Sequence, residues 1–180
     1  MYSNPRPIVI AMFASAPAGS LLARTTVSDT FQGKWNERDW RCVPGAFYTA
    51  GTDTCEMGVW SAPENILQDR ASQEYVFRQP QMPGHLSQMV EAAIMDPYQA
   101  YAIDGNAHWT VDAVEAFWRE RYAVIFDMEE TLAWSTPQAS PFHSHLRTIL
   151  ARARDYFRET LEQDLAEYSE QLKRGWDQDE

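Results

Sequence analysis

A loop of small residues, Phe13-Ala14-Ser15-Ala16-Pro17-Ala18-Gly19-Ser20-Leu21-Leu22, carries the first pattern in this 180-residue chain that could do chemistry. It follows an apolar run and precedes a segment that reads as a helix start. Backbone N–H groups at such a junction bind anions, because their donors have no partner within the helix and the helix dipole adds positive potential. The nucleotide loops that place a lysine on the phosphates need Gly-Lys-Ser/Thr. Here Gly19 directly precedes Ser20, and the only lysines in the chain are Lys34 and Lys173. A lysine-bearing phosphate loop is therefore excluded, and arginine is the only cation left for such a site.

Other groupings offer weaker chemistry. Asp127-Met128-Glu129-Glu130-Thr131-Leu132 resembles the first motif of haloacid dehalogenase-type phosphatases, with Glu129 where their second aspartate would stand. That motif normally opens its fold, whereas here it falls late. Carboxylates entering a helix start, where the dipole favours them, are the plainer reading. His143-Ser144-His145 is a His-x-His with no evident carboxylate partner, and His85 and His108 stand alone beside turns. Cys42 and Cys55 show no zinc-ligand spacing. They read as two free thiols, or as a disulfide if the protein is exported.

These groups need elements to position them. Residues 7–13 form a continuous apolar, β-branched run that predicts a strand covered on both faces. Residues 30–66 hold Trp35, Trp40 and Trp60 between glycines and prolines, and read as irregular structure or a small hairpin. Residues 74–78 predict a short strand. Leu86, Met89, Val90, Ala93 and Ile94 predict a helix that Pro97 stops. Thr110 is placed to cap the next helix, whose apolar face is Val111, Val114, Phe117 and Trp118. Residues 122–126 predict another strand. From Phe142 to Leu172, apolar residues recur in steps of three and four, which predicts one helix of about 30 residues, about 45 Å long. Glu170, four before Arg174, supports its last turns. The alternation of strand, loop and helix predicts a layered α/β fold with a mostly parallel sheet and a long C-terminal amphipathic helix. Residues 1–136 would form the domain, and residues 137–180 a helical arm packed on it.

Charge separates the function classes. The chain carries 15 Lys+Arg and 26 Asp+Glu, a formal charge of −11, which argues against direct nucleic-acid binding. Residues 1–50 are net +2, residues 51–146 net −10 and residues 155–180 net −6. A phosphate or sulfate site would thus fall in the first 50 residues, and a basic partner would meet the rest. Residues 1–23 have a loose likeness to an export signal, but the run at 8–13 is short for one. No stretch is long and apolar enough for a membrane span, and the chain reads as cytoplasmic.

Three stretches together resemble the P-loop sulfotransferases. Gly19-Ser20-Leu21-Leu22-Ala23-Arg24 resembles their donor loop. Tyr75-Val76-Phe77-Arg78-Gln79-Pro80 resembles the strand whose arginine contacts the nucleotide 3′-phosphate, and Phe117-Trp118 through Leu132 the helix, strand and acidic segment near the fold's end. The likeness covers about a quarter of the chain. It implies a 3′-phosphoadenosine-type nucleotide held by Ser15, Gly19, Ser20, Arg24, Arg78 and Ser87. The loop lacks the cation the family carries, with Ala18 near its position, so Arg24 or Arg78 would have to neutralise the transferring group. Two readings stand. One is a nucleotide-dependent sulfuryl or phosphoryl transferase, or an inactive relative. The other is a non-catalytic acidic interaction protein. It would be an assembly component pairing through residues 142–172, or an inhibitor of a basic, nucleic-acid-binding partner.

Overall fold

The computed structural model describes residues 5–16, 20, 25–53, 56–136, 138 and 140–175. It is mainly helical, with two small antiparallel sheets, and so corrects the expected parallel-sheet α/β layering. The helices are α1 (Arg6–Ala14), α2 (Val27–Thr30), α3 (Met57–Ser61), α4 (Pro83–Met95), α5 (Val111–Trp134), α6 (Pro141–Glu159) and α7 (Leu161–Arg174). The strands are β1 (Tyr48–Thr49), β2 (Ile66–Gln68), β3 (Glu74–Val76) and β4 (Tyr101–Ala102).

Two expected strands are helices. Residues 8–13 lie in α1, which begins after Pro5 and has Pro7 in its first turn. Proline is tolerated there, where backbone N–H groups lack helical partners, but would break the ladder of a central strand. Among α1 residues only Val9 is buried, while Ile8 and Ile10 are about half exposed. Residues 122–126 are the middle of α5. Its buried side chains Val114, Phe117, Val124 and Met128 keep a helical repeat straight through the run, and Tyr122 and Phe126 face outward. Thr110 caps α5 as its position suggests, its side chain accepting from Ala113 N at 3.2 Å.

The strands pair across short spans. β2 runs antiparallel to β3, with Ile66 opposite Val76 and Gln68 opposite Glu74. Asp69 closes this hairpin, its Oδ1 accepting from Ala71 N at 2.8 Å and Gln73 N at 2.9 Å. β1 pairs antiparallel with β4, Tyr48 opposite Ala102. The expected strand at 74–78 thus exists as β3, but in a hairpin. A connection this tight cannot supply the crossover that a parallel pair needs.

The long C-terminal helix is two helices that meet at Thr160. Threonine is a weak helix former, and the break redirects the chain so that both α6 and α7 pack on α5. Phe142, Leu146, Ile149, Leu150, Ala153, Phe157, Leu161, Leu165 and Tyr168 are all buried. The apolar stripe that the sequence offers to a second copy is covered by this chain's own core. Near the end, Glu170 pairs with Lys173 at 2.7 Å.

Burial pushes the phenols of Tyr75 and Tyr101 well above the ordinary value of 10.0, and shifts Tyr48 and Tyr168 in the same direction. The folded protein holds these protons when the unfolded chain releases them. The associated stability is therefore complete below pH ~10 and is lost as pH rises toward the folded values. Unfolding free energy is expected to stay flat to pH ~9 and to fall steeply above pH ~10. Tyrosinate absorbance should rise in step with the loss of far-ultraviolet circular dichroism. Ionisation of all eight tyrosines with the fold intact would contradict this.

Candidate functional site

A cavity of about 370 Å³ lies where five parts of the chain converge. Pro5 and Ile8 of α1 form one side. Phe47, the segment from Gln79 to Pro83 and Leu86 of α4 form the apolar floor, and Asn106, Asp164 and Glu167 form the polar side. Each piece has a local reason for its place. Pro83 stands at the start of α4, where its missing N–H costs no helical bond. Gln79 is buried and ties the floor together. Its Oε1 accepts from Phe47 N at 3.0 Å, and its Nε2 donates to Val43 O at 2.9 Å and Phe47 O at 2.8 Å. Tyr168 donates to Asn106 Oδ1 at 2.9 Å and positions that amide.

Asp164 is the focus of the polar side. It lies within the apolar stripe of α7, between Leu161 and Leu165, and is only 7 % exposed. One carboxylate oxygen accepts from Gln81 Nε2 at 2.8 Å and from the Tyr156 hydroxyl at 2.9 Å. Both donors are neutral, and Asp164 forms no ion pair among the described residues. Arg78 approaches indirectly. Its Nη2 donates to Gln81 Oε1 at 2.7 Å, and its guanidinium lies 5.0 Å from the centre of the Tyr156 ring. Glu167 is exposed one turn further along α7 and accepts from Gln163 at 3.0 Å. The arrangement presents an apolar wall with carboxylate at its end. That chemistry suits a cation on a hydrocarbon stem.

The residues named from the sequence fall in different places. Arg78 borders this site through Gln81. Ser87 is exposed on α4, with its Oγ donating to Pro83 O at 3.3 Å. Ser15 ends α1 and donates to Ala11 O at 2.7 Å; the segment before the loop is thus a helix C-terminus, the negative end of a dipole. Ser20 is half-buried, and Gly19 and Arg24 lie outside the described residues.

The remaining chemical groupings are held in structural contacts. Asp127 pairs with Arg41 at 2.9 Å, and Glu129 with Arg154 at 2.9 Å. His145 stacks on Trp60, with ring centres 3.9 Å apart, and His143 Nδ1 accepts from Thr136 N. Cys42 is buried beside Thr49, and burial raises its thiol pKa; Cys55 lies outside the described residues. Among the described residues no cluster of His, Cys, Asp and Glu is arranged to hold a metal ion.

Sequence reasoning passed over Asp164, Glu167, Gln81 and Asn106. A signal for the first was present. An aspartate three residues after Leu161 and four before Tyr168 falls on the buried stripe, where an acid needs partners. Compared with protein-family models, curated proteins and solved structures, the chain matches none.

Proposed function

We propose that this chain is a non-catalytic acidic binding protein that takes a basic side chain of a protein partner into the cavity beside α7. The observation that carries the reading is Asp164, a buried carboxylate satisfied only by neutral donors at the end of an apolar pocket. A lysine or arginine stem would lie along Ile8, Phe47, Met82 and Leu86, and its charged head would meet Asp164 and Glu167. The formal charge of −11 adds long-range attraction for a basic partner and repels acidic ones.

Calorimetric titration with short peptides containing Lys or Arg beside an apolar residue tests this. Binding in the micromolar range that weakens with added salt is expected. Glu167→Gln should weaken it about threefold, as loss of an exposed charge contact. Asp164→Asn should weaken it about tenfold or more, because the buried contact is stronger. Equal affinity for the parent and both variants, or no binding to any basic peptide, would sink the reading. The transferase alternative drew on a strand before the 14–20 loop, and the chain there is helical. A rise in melting temperature with a 3′-phosphoadenosine nucleotide would favour it over the binding reading.

A further inference from the structure

We infer that the outer face of α5 is a self-association surface that pairs antiparallel with α5 of a second copy of this chain. Tyr122 and Phe126, one turn apart on this face, are each 65 % exposed. Large aromatic rings this open on adjacent turns of one helix form an apolar strip that water solvates poorly. Tyr122 is also held in place. The Arg121 guanidinium sits 4.2 Å from the centre of its ring and 3.4 Å from that of Trp118, and Nη2 donates to the Tyr122 hydroxyl at 2.9 Å. A ring ordered before association loses less entropy when it binds.

The strip belongs to a seam. Positions 115, 119, 122, 126, 129 and 133 follow steps of four and three, the spacing by which two helices pack along each other. The seam is about 27 Å long at 1.5 Å per residue. The choice of a second copy comes from charge along it. A twofold axis that sets Tyr122 against the other copy's Phe126 also sets Arg119 against the other copy's Glu129. Arg119 is exposed and has no ion-pair partner among the described residues. The Glu129 side chain lies 2.9 Å from Arg154 and 3.7 Å from Arg158, both through Oε1, and keeps 42 % of its surface exposed. Glu115 falls opposite Ala133, so no like charges meet. Parallel pairing would put Arg119 on Arg119 and Glu129 on Glu129, which is repulsive. The strip is therefore self-complementary in one direction only, as a twofold interface requires.

Sedimentation velocity over a concentration series tests the pairing, at about 150 mM salt so that the net charge is screened. The parent chain is expected to shift from monomer to dimer in the micromolar range. Phe126→Lys should be monomeric with unchanged circular dichroism, since the side chain it replaces faces solvent. Arg119→Glu should weaken association about tenfold by placing like charges opposite each other. Direction is read from the double variant Glu115→Cys/Ala133→Cys, which leaves the aromatic strip intact, under mild oxidation. Mass mapping should find position 115 of one copy joined to position 133 of the other. A parent chain monomeric throughout, an unchanged dimer in Phe126→Lys, or a 115-to-115 linkage would each overturn the proposal.

Discussion

Replacing Arg41 by methionine is expected to cost about 3–5 kcal/mol of folding stability, the usual penalty for breaking a buried charge network from one side. Arg41 is 4 % exposed. Its guanidinium reaches Asp39 at 2.7 Å, Asp69 at 2.6 Å and Asp127 at 2.9 Å, and packs 4.5 Å from the centre of the Tyr75 ring. Burial alone would lower its pKa. The hydrogen bonds and charges of Asp39, and then the hydrogen bond to Asp69, more than offset this and hold it above the ordinary value. The group thus stays charged at every working pH, and it joins the 39–41 turn, the β2–β3 hairpin and α5. Methionine keeps most of the volume and none of the donors, so three carboxylates are left facing one another. Lysine restores a charge but not the planar fork that serves several acids at once, and about half the loss should remain. Urea unfolding of the two variants measures both effects. A methionine variant within about 1 kcal/mol of the parent would show the network to be dispensable. Adding Asp39→Asn, Asp69→Asn and Asp127→Asn to the methionine variant should recover much of the loss, because none of the three carboxylates that lost Arg41 then carries a charge.

Arg41 also marks where a single sequence stops being informative. Its partners lie 2, 28 and 86 residues away, and nothing local to Arg41 points to Asp127. Local rules did well where they had a long window or a punctuating residue. Helix α4 was legible because Leu86, Met89, Val90 and Ala93 repeat at helical spacing over about two turns between Pro83 and Pro97. The start of α5 was legible in Thr110. Short apolar runs failed, because five or six residues carry no period. The run at 8–13 could be told from a strand only by giving Pro5 and Pro7 the weight they have in a helix's first turn. The run at 122–126 needed Val114 and Phe117 to be continued into Val124 and Met128. Thr160 broke the C-terminal helix without breaking its apolar period, since α7 resumes the stripe at Leu161. The cavity was hidden for a related reason. Its floor comes from Phe47 and the residues after β3, and its charge from α7, which meet only after the hairpins and helices have packed.

Gln79→Ala is the second substitution expected to have a large effect, a loss of about 4 kcal/mol accompanied by loss of the cavity. The side chain is 2 % exposed and supplies three hydrogen bonds to backbone groups of Val43 and Phe47. Alanine leaves one N–H and two carbonyls of buried residues without that partner, and each such group costs about 1–3 kcal/mol where it finds no other. The void left by the amide adds to the penalty. Gly45 shows how closely the loop is built around this side chain, since a Cβ at Gly45 would overlap the Gln79 carboxamide. Glutamate is the more diagnostic change. It matches the shape of glutamine and keeps the acceptor for Phe47 N, but loses both donors and turns a carboxylate toward two carbonyls. Gln79→Glu should therefore be at least as destabilising as alanine at neutral pH. It should recover as pH falls, because a protonated carboxyl regains one donor and is favoured in the folded state. Hydrogen exchange at the Phe47 amide separates this local effect from global unfolding. Protection there should fall in Gln79→Ala more than it falls in the C-terminal helices, and basic-peptide affinity should fall with it because Phe47 forms the cavity floor. If Phe47 stays as protected as in the parent while stability drops, the three bonds would not be what holds the floor in place.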